Sequence, residues 1–311
     1  MQAASLAEWG YVQQEEWTPE NSVTPGQNRP WLPFTVQNIR LFGNNKSNIG
    51  PRGKEYGRRN VTELGINLDT VRGCSFAAVH GFRGCYGNCY LAESMVRYHI
   101  KYWIPVSMRL NPCLLVKDLQ SIRSDYVRNG VNGDPSFDWD LSVRVAELCD
   151  TYDKTTVLLT RFGIEPSDIH LRRLARVECI MHGSLSAIDP PRHRERVLSS
   201  LDRYEALGGR PVRRVITAWF NDEQSALWEV QDRLMSMGKA FQQPLRIRGQ
   251  SPVNALLDLS RYGPTVSNTD GRLTNRWKSA GDTGYGSRGC YSHCYECPNQ
   301  CMSKVALWRG R

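Results

Sequence analysis

The spacing of apolar residues alternates along the middle of the chain between the patterns of strands and of helices. The β-branched run at residues 155–160 has strand character, whereas Val197, Leu201 and Tyr204 recur at helical spacing. About six such pairs follow one another within residues 66–250. Strands that alternate with helices indicate a parallel sheet. We expect an α/β fold in which this sheet curves into a partial (β/α)6 barrel of the TIM type.

The same pattern sets the expected elements. The strands are predicted at residues 68–73, 126–130, 155–160, 178–187, 212–220 and 245–250, with a further extended segment at 104–110. The helices are predicted at residues 90–102, 115–122, 141–152, 169–177, 197–207 and 223–238. In barrels of this kind the active site lies at the carboxyl ends of the strands. Polar residues and cysteines that follow a strand are therefore the first candidates for chemistry.

The two ends of the chain lack this alternation. Residues 1–65 are rich in Pro, Gly, Asn and Trp and are expected to wrap irregularly around the body of the protein. Residues 251–311 are rich in Gly, Ser and Asn and end in a group of cysteines, which predicts a small extension held by its own metal. The expected organisation is an N-terminal wrap at 1–65, a barrel at 66–250 and a C-terminal extension at 251–311.

Composition narrows the class of protein. An apolar content of 40% suffices for a buried core, and the longest apolar runs are too short for a membrane span. The first residues do not resemble a secretory signal, which predicts a cytoplasmic protein. A net charge of +9 favours anionic partners such as nucleic acid, phosphates or carboxylates, but it is weak support when taken alone.

Seven of the ten cysteines lie in two short stretches. A front group contains Cys74, Cys85 and Cys89, and a tail group contains Cys290, Cys294, Cys297 and Cys301. Stable disulfides are not expected in a cytoplasmic protein, so zinc or iron–sulfur is the better interpretation of such spacings. Four thiolates saturate a metal centre, whereas three leave one iron of a [4Fe–4S] cluster open to a ligand that is not protein.

The remaining cysteines have apolar neighbours within predicted helices and strands. Cys113, Cys149 and Cys179 are therefore expected to be small buried hydrophobic residues.

Six segments, in this order, resemble the radical S-adenosylmethionine (SAM) superfamily, in particular its spore-photoproduct-lyase-like branch. They are Arg72–Cys74, Gly84–Tyr90, Val106–Pro112, Asn132–Pro135, Thr160–Arg161 with Asp168 and Leu171, and His182–Pro190 with Gly208–Val212. The resemblance implies a [4Fe–4S] cluster on three cysteines, whose open iron is chelated by SAM. It also implies an electron donor such as ferredoxin or flavodoxin, and cleavage of SAM to a 5′-deoxyadenosyl radical that abstracts hydrogen from a substrate.

The cysteine spacing departs from the family pattern of C-x3-C-x2-C after the first strand. Here ten residues separate Cys74 from Cys85, and three separate Cys85 from Cys89. The tail motif that begins at Cys290 has the usual spacing, but it follows the predicted barrel. We expect the front group to hold the SAM cluster and the tail group, with Cys301 as a fourth ligand, to hold an auxiliary [4Fe–4S] cluster. The reverse assignment stays open.

Alternating polar residues mark possible cofactor contacts on two predicted strands. His182, Ser184 and Ser186 share one face, which is expected to point into the barrel, where the family places contacts to the ribose and carboxylate of SAM. The alternative is a structural polar network. Arg246 and Arg248 alternate in the same way and are expected to bind an anion such as the SAM carboxylate, unless they are solvated at the barrel edge.

Two further residues are assigned from the resemblance. Asp134 stands in a Gly-Asp-Pro turn, where the family holds the SAM amino group; the alternative is that Asp134 only caps its own turn. Arg109 is expected to line the SAM pocket.

The function implied by the resemblance is a radical SAM enzyme that acts on a small molecule or a peptide. The auxiliary cluster then serves electron transfer, substrate anchoring or sulfur donation. One alternative is a radical SAM enzyme that modifies or repairs DNA or tRNA, which the net charge of +9 suggests. A third hypothesis is a zinc-binding protein that binds nucleic acid without catalysis.

Overall fold

A computed structural model describes residues 32–42, 66–78, 84–89, 91–92, 95, 98–122, 126–247, 251–266 and 273–285. Within these ranges the strands are β1 (Ile66–Leu68), β2 (Val71–Arg72), β3 (Val106–Ser107), β4 (Tyr126–Asn129), β5 (Thr155–Thr160), β6 (Cys179–Ser186), β7 (Arg210–Thr217), β8 (Ala240–Pro244), β9 (Arg246–Ile247), β10 (Gly263–Val266) and β11 (Leu273–Ser279). The α-helices are α1 (Pro112–Ser121), α2 (Trp139–Thr151), α3 (Asp168–Ala175), α4 (Pro191–Ala206) and α5 (Ser225–Ser236).

The central sheet contains six parallel strands in the order β1-β4-β5-β6-β7-β8, which is also their order along the chain. In its middle, Leu159 lies opposite His182, and His182 lies opposite Val212. Each of α2 to α5 connects two neighbouring strands, as parallel pairing requires a crossover. The prediction of a mixed α/β fold built on a parallel sheet is confirmed.

The helices pack on a shared face of the sheet. One core cluster combines side chains of α2, α3, α4 and α5 with alternate residues of β5 to β8, such as Leu158, Leu185 and Val215. A second cluster packs α1 and α2 against Leu68 and Val127 of β1 and β4. We call this the helix face. Side chains of a strand alternate between its two faces, so the strand residues next to these, such as Leu159 and Ser184, point to the opposite side. We call this side the cavity face.

The predicted sixth strand at residues 245–250 was wrong. The sixth parallel strand is β8, five residues earlier, and Arg246–Ile247 pairs instead with β11 in an antiparallel sheet. The sequence of β8 contains two glutamines and a proline, so it lacks an apolar alternation. Its Gln242 is buried and accepts hydrogen bonds from Thr217 Oγ1 and the Thr283 amide. Polar contacts stabilise this edge strand, and proline is tolerated at such an edge.

Residues that precede and follow the sheet pack on its borders. Residues 32–42 form isolated bridges to the chain around Ile100, Arg109 and Asn67, and no helix or strand of their own. Strands β9, β10 and β11 form a small antiparallel sheet whose Ile247 packs into a third core cluster. In the part of the chain that the structure describes, no helix is both long and apolar enough to cross a membrane.

The three isolated cysteines divide into two kinds of environment. Cys149 of α2 and Cys179 of β6 are fully buried, as predicted. Cys113 is exposed, so its prediction was wrong. It lies in the first turn of α1, and the only buried residues of this helix are Leu115 and Leu119.

Candidate functional site

A cavity of about 200 Å³ lies at the carboxyl end of the central sheet, on the cavity face. Its walls come from residues that follow β2, β4 and β5 and from the cavity-facing side chains of β6 and β7. Parallel strands bring their carboxyl ends to one edge, so residues distant in the chain meet there. The predicted position of the functional site at these strand ends agrees with this cavity.

All three cysteines of the front group line this cavity. Cys74 follows β2, Cys85 opens a 3₁₀ turn at Cys85–Gly87, and Cys89 comes two residues after that turn. The three thiols are half-buried and form no disulfide. The structure therefore brings Cys74 together with two cysteines that the enlarged loop separates from it in sequence.

Burial raises the pKa of each of these thiols. The pKa of Cys85 rises to about 11, chiefly through burial, while the positive charge of Arg161 opposes the rise. The pKa of Cys74 rises well above its ordinary value through burial, and the charges of Asp134, Cys85 and Cys89 add to the effect. Without a metal the thiols therefore keep their protons at neutral pH. Metal binding at these residues must release protons, because thiolate is the ligand form.

Two glycines permit the close approach of the cysteine-bearing segments. Gly84 has a φ of 73°, and a Cβ at this position would collide with the Cβ of Cys89. Gly73 has a φ of 89°, and a Cβ there would lie 2.8 Å from the carbonyl oxygens of Tyr102 and Ile104. Any other residue would be strained in this left-handed conformation and would push the thiol-bearing backbone away.

The three thiols share one cavity wall. Among the described residues, no three cysteine, histidine or acidic side chains are grouped closely enough to hold a metal ion. A zinc ion requires all of its sulfur ligands at about 2.3 Å from one centre. In an iron–sulfur cluster each iron takes its own thiolate, so the sulfurs stay further apart. Three thiols in one cavity wall are a donor set that both zinc and an iron–sulfur cluster accept.

Asp134 lines the cavity, and its carboxylate is held by three hydrogen bonds. Oδ1 accepts from the Ser136 amide at 3.0 Å and from Thr160 Oγ1 at 2.7 Å. Oδ2 accepts from the Arg161 amide at 2.9 Å. Asp134 caps the turn that begins at Pro135, and it also accepts from two residues beyond that turn. The carboxylate also joins the ends of β4 and β5 at the cavity wall.

A buried ionic group stands beside the turn that carries Cys85. Arg161 Nη2 contacts Asp189 Oδ1 at 2.6 Å, and Arg161 Nη1 donates to the Tyr86 hydroxyl at 2.7 Å. That hydroxyl lies 3.0 Å from both carboxylate oxygens of Asp189 and donates its proton to them. Burial raises the pKa of Tyr86 well above its ordinary value, so the phenol stays protonated.

Aromatic rings surround the guanidinium of this group. Its central carbon lies 5.2 Å from the ring centre of Phe76 and 5.1 Å from that of Tyr86, within the range of cation–π contacts. His193 Nε2 is 3.3 Å from Arg161 Nη2. Burial and the charge of Arg161 lower the pKa of His193 to about 4, so its imidazole is neutral at physiological pH.

Only part of the group formed by Arg161, Asp189, Tyr86 and His193 was predictable from the sequence. Arg161 and Asp189 each belonged to a resembling segment, but neither Asp189 nor His193 was given a role. Asp189 follows β6, so its place at a strand end was the available signal. His193 lies in the first turn of α4, where nothing in the sequence distinguishes it.

The three polar residues predicted for one face of β6 have different environments. Ser184 lines the cavity. Ser186 is buried beyond it and donates to the Ile216 carbonyl at 2.9 Å, so it serves the structural alternative. His182 is buried, and neither of its ring nitrogens has a hydrogen-bond partner among the described residues. Burial, with the charge of Arg214, lowers its pKa to about 3.

Two of the arginines assigned to the SAM pocket, Arg109 and Arg246, are not among the described residues in the wall of this cavity. Arg109 is exposed, and its backbone pairs with residues 37–39 at the border of the sheet. Arg246 lies in the antiparallel sheet opposite Ser279. Arg214 of β7, which was not predicted, lines the cavity instead. Arg248 and the tail cysteines Cys290, Cys294, Cys297 and Cys301 lie outside the described residues.

No family of known proteins matches this chain, and neither a curated protein nor a solved structure matches it.

Proposed function

We propose that this protein is a radical SAM enzyme whose [4Fe–4S] cluster is bound by Cys74, Cys85 and Cys89. The observation that carries the proposal is that three free thiols meet around one cavity at the carboxyl end of a parallel sheet. Of the described residues in the cavity wall, these are the only cysteines. Three thiolates leave one iron of the cluster for SAM, in keeping with the family that the motifs resemble.

The arrangement of the sheet supports a partial (β/α)6 barrel, which is the finer fold that the proposal includes. The parallel strands follow chain order, and the core clusters place α1 to α5 on the helix face. A doubly wound sheet would carry helices on both faces. Helices on one face leave the other free to curve around a ligand, as the inside of a barrel does.

When bound, the cluster supplies one electron to SAM, which yields methionine and a 5′-deoxyadenosyl radical that removes hydrogen from the substrate. The residues of the chain bind and orient the reactants. Asp134 Oδ2 accepts one hydrogen bond from a described residue and has capacity for a second, so it is assigned to the SAM amino group. Ser184 and Arg214, on the cavity wall, are assigned to the polar groups of SAM or of the substrate.

The proposal extends to the tail and to the partners. Cys290, Cys294, Cys297 and Cys301 are assigned to an auxiliary [4Fe–4S] cluster, because their spacing in sequence suits a four-thiolate site. A one-electron donor protein such as ferredoxin or flavodoxin is required. The substrate is assigned as a small molecule or a peptide side chain, the class for which an auxiliary cluster suits electron transfer, substrate anchoring or sulfur donation.

The test is anaerobic reconstitution of the full chain with iron and sulfide. Metal and sulfide analysis then counts the clusters, and a reductant with SAM assays the release of 5′-deoxyadenosine. Wild-type protein is expected to contain two clusters and to cleave SAM. Cys85→Ala and Cys89→Ala are expected to abolish cleavage. Cys113→Ala is the matched control, because this thiol is exposed and is not among the described residues that line the cavity.

Three results would change the assignment. Tight zinc in a colourless protein would favour the nucleic-acid-binding alternative. Loss of cleavage in Cys297→Ala, with cleavage retained in Cys85→Ala, would reverse the roles of the two cysteine groups. Salt-dependent binding of tRNA or DNA by a protein that still cleaves SAM would move the substrate class to nucleic acid.

A further inference from the structure

The ion pair beside Cys85 is the most deeply buried ion pair in the described structure. The side chain of Arg161 is 12% exposed and that of Asp189 is fully buried, whereas every other described pair includes a side chain that is at least 38% exposed. A buried pair of this kind is weak support for stability, because removing both charges from water costs about as much as their attraction returns. Because the pair lies beside the proposed cluster, its two charges can also act on that cluster electrostatically.

The two charges are placed unequally toward the cavity. Of the described residues, Arg161 lines the cavity together with the three cysteines, whereas Asp189 does not. Asp189 contacts Arg161 through Oδ1, and its Oδ2 accepts from the Ser186 amide at 2.7 Å. A negative charge at the thiolates therefore faces the guanidinium of Arg161 and not the carboxylate of Asp189.

Tyr86 connects this pair to the cysteine turn. It follows Cys85 directly, and its hydroxyl contacts both Arg161 and Asp189. Its φ of 58° is left-handed, a conformation that a residue with a side chain adopts only when its surroundings enforce it. Ser251 Oγ donates to the Tyr86 carbonyl at 2.6 Å and holds the turn from the other side. The turn is thus fixed relative to the ion pair without any metal.

We propose that Arg161 and Asp189 tune, in opposite directions, the reduction potential of a cluster bound at Cys85, with Tyr86 as the positioning residue that fixes their distance from it. The inference rests on the proposed function. In the step concerned, one electron passes from the donor protein to the cysteine-bound site, no bond forms or breaks, and the site gains one negative charge. Arg161 stabilises that charge and raises the potential, whereas Asp189 destabilises it and lowers the potential.

The opposite signs separate tuning from a merely structural role. Loss of either partner would loosen the same network, so a structural effect would act on both variants in the same direction. An electrostatic effect must have opposite signs, because the variants remove opposite charges. Arg203 and Asp168 form a pair with the same 2.6 Å contact on the surface and supply the matched control.

The experiment uses the reconstituted full chain and a redox titration in which the spectrum of the reduced cluster reports its midpoint potential. The background for all measurements has Cys290, Cys294, Cys297 and Cys301 all replaced by Ala, so that no tail cluster forms and the front site is read alone. Arg161→Gln is expected to shift the potential downward and Asp189→Asn to shift it upward. Arg161→Lys, which keeps the charge, is expected to stay nearer to the wild-type value than Arg161→Gln. Arg203→Gln and Asp168→Asn are expected to cause no shift.

The outcomes distinguish the inference from the proposed function. A wild-type protein that holds no [4Fe–4S] cluster at the front group defeats the proposed function. A wild-type cluster whose potential moves in the same direction in Arg161→Gln and Asp189→Asn, or moves in neither, overturns the inference alone. Loss of the cluster in both variants, with retention in the surface controls, overturns it too, because the network would then serve only to hold the fold.

Discussion

The two faces of the central sheet use the same strands for different purposes. On the helix face, Leu158, Leu185 and Val215 are fully buried in one continuous apolar core. On the cavity face, their sequence neighbours include Leu159 and Ser184, which line the cavity. Because side chains alternate between faces, each strand contributes to stability and to the site in turn. Mutations at adjacent positions of a strand should therefore have different consequences, one for stability and the other for the site.

The largest effect on stability is expected from the pair Leu158 and Leu159. Leu158→Ala opens a hole in the helix-face core and should lower the free energy of unfolding by about 2–5 kcal/mol. Leu159→Ala should cost less, because this side chain already borders a cavity and has fewer packing partners. Chemical denaturation measures both variants. Equal losses of unfolding free energy would show that the two faces of the sheet are packed alike and would contradict this contrast.

A smaller effect is expected from Tyr86→Phe on the cavity face. The change keeps the ring but removes a hydroxyl that contacts Arg161 and Asp189, so buried charged groups lose a partner. We expect the free energy of unfolding to fall by about 1–3 kcal/mol. We also expect slower iron uptake at the front cysteines, measured as iron bound against time. Tyr204→Phe is the control on the helix face, since its hydroxyl contacts only backbone carbonyls among the described residues.

His182 should make stability depend on pH. Its pKa is lowered to about 3 in the folded protein, mainly by burial, against about 6.5 when unfolded. The unfolded chain therefore binds a proton first as the pH falls, and folding stability is lost from about pH 6.5 downward. Between pH 7 and pH 5 the loss should reach about 2 kcal/mol. His182→Leu should lack this part of the slope in denaturation curves; parallel slopes would rule out His182 as its source.

The smallest effect is expected from a surface ion pair. Arg173 forms two contacts with Glu147, at 2.8 and 2.7 Å, but both side chains are about one-third exposed. Water screens such pairs, so Arg173→Gln should change the free energy of unfolding by less than about 1 kcal/mol. Neither iron content nor SAM cleavage should change. If Arg173→Gln lowered the free energy of unfolding as much as Tyr86→Phe, burial would not explain why buried polar contacts contribute more than exposed ones.

The elements with regular patterns were predictable from sequence. The strand at residues 155–160 was predicted with its observed bounds, because a run of β-branched and apolar residues has few alternatives. The sixth strand was misplaced, because the alternation at Arg246 and Ile247 resembles that of a sheet strand equally well. What stabilises β8 is a set of hydrogen bonds to Gln242, from residues up to 41 positions away, which no local pattern contains.

The candidate site was predictable where a residue type was itself informative. The front cysteines were selected by their chemistry, and the structure brings Cys74, Cys85 and Cys89 to one cavity. Asp189 was given no role, although it follows β6 and belongs to the resembling segment His182–Pro190. Its partner Tyr86 is 103 positions away, so their contact depends on how β6 and the cysteine turn are placed in three dimensions.

Sequence alone determined the alternation of strands and helices and the choice of candidate sulfur ligands, since both follow from residue types and their spacing. Only the tertiary structure decided which residues share the cavity: Arg214 instead of Arg246, and Arg161 with Asp189 beside Cys85. The physical reason is that parallel strands bring distant segments to one edge. Electrostatic and hydrogen-bond contacts act through space, so the partners of a buried charge are set by the fold and not by sequence distance.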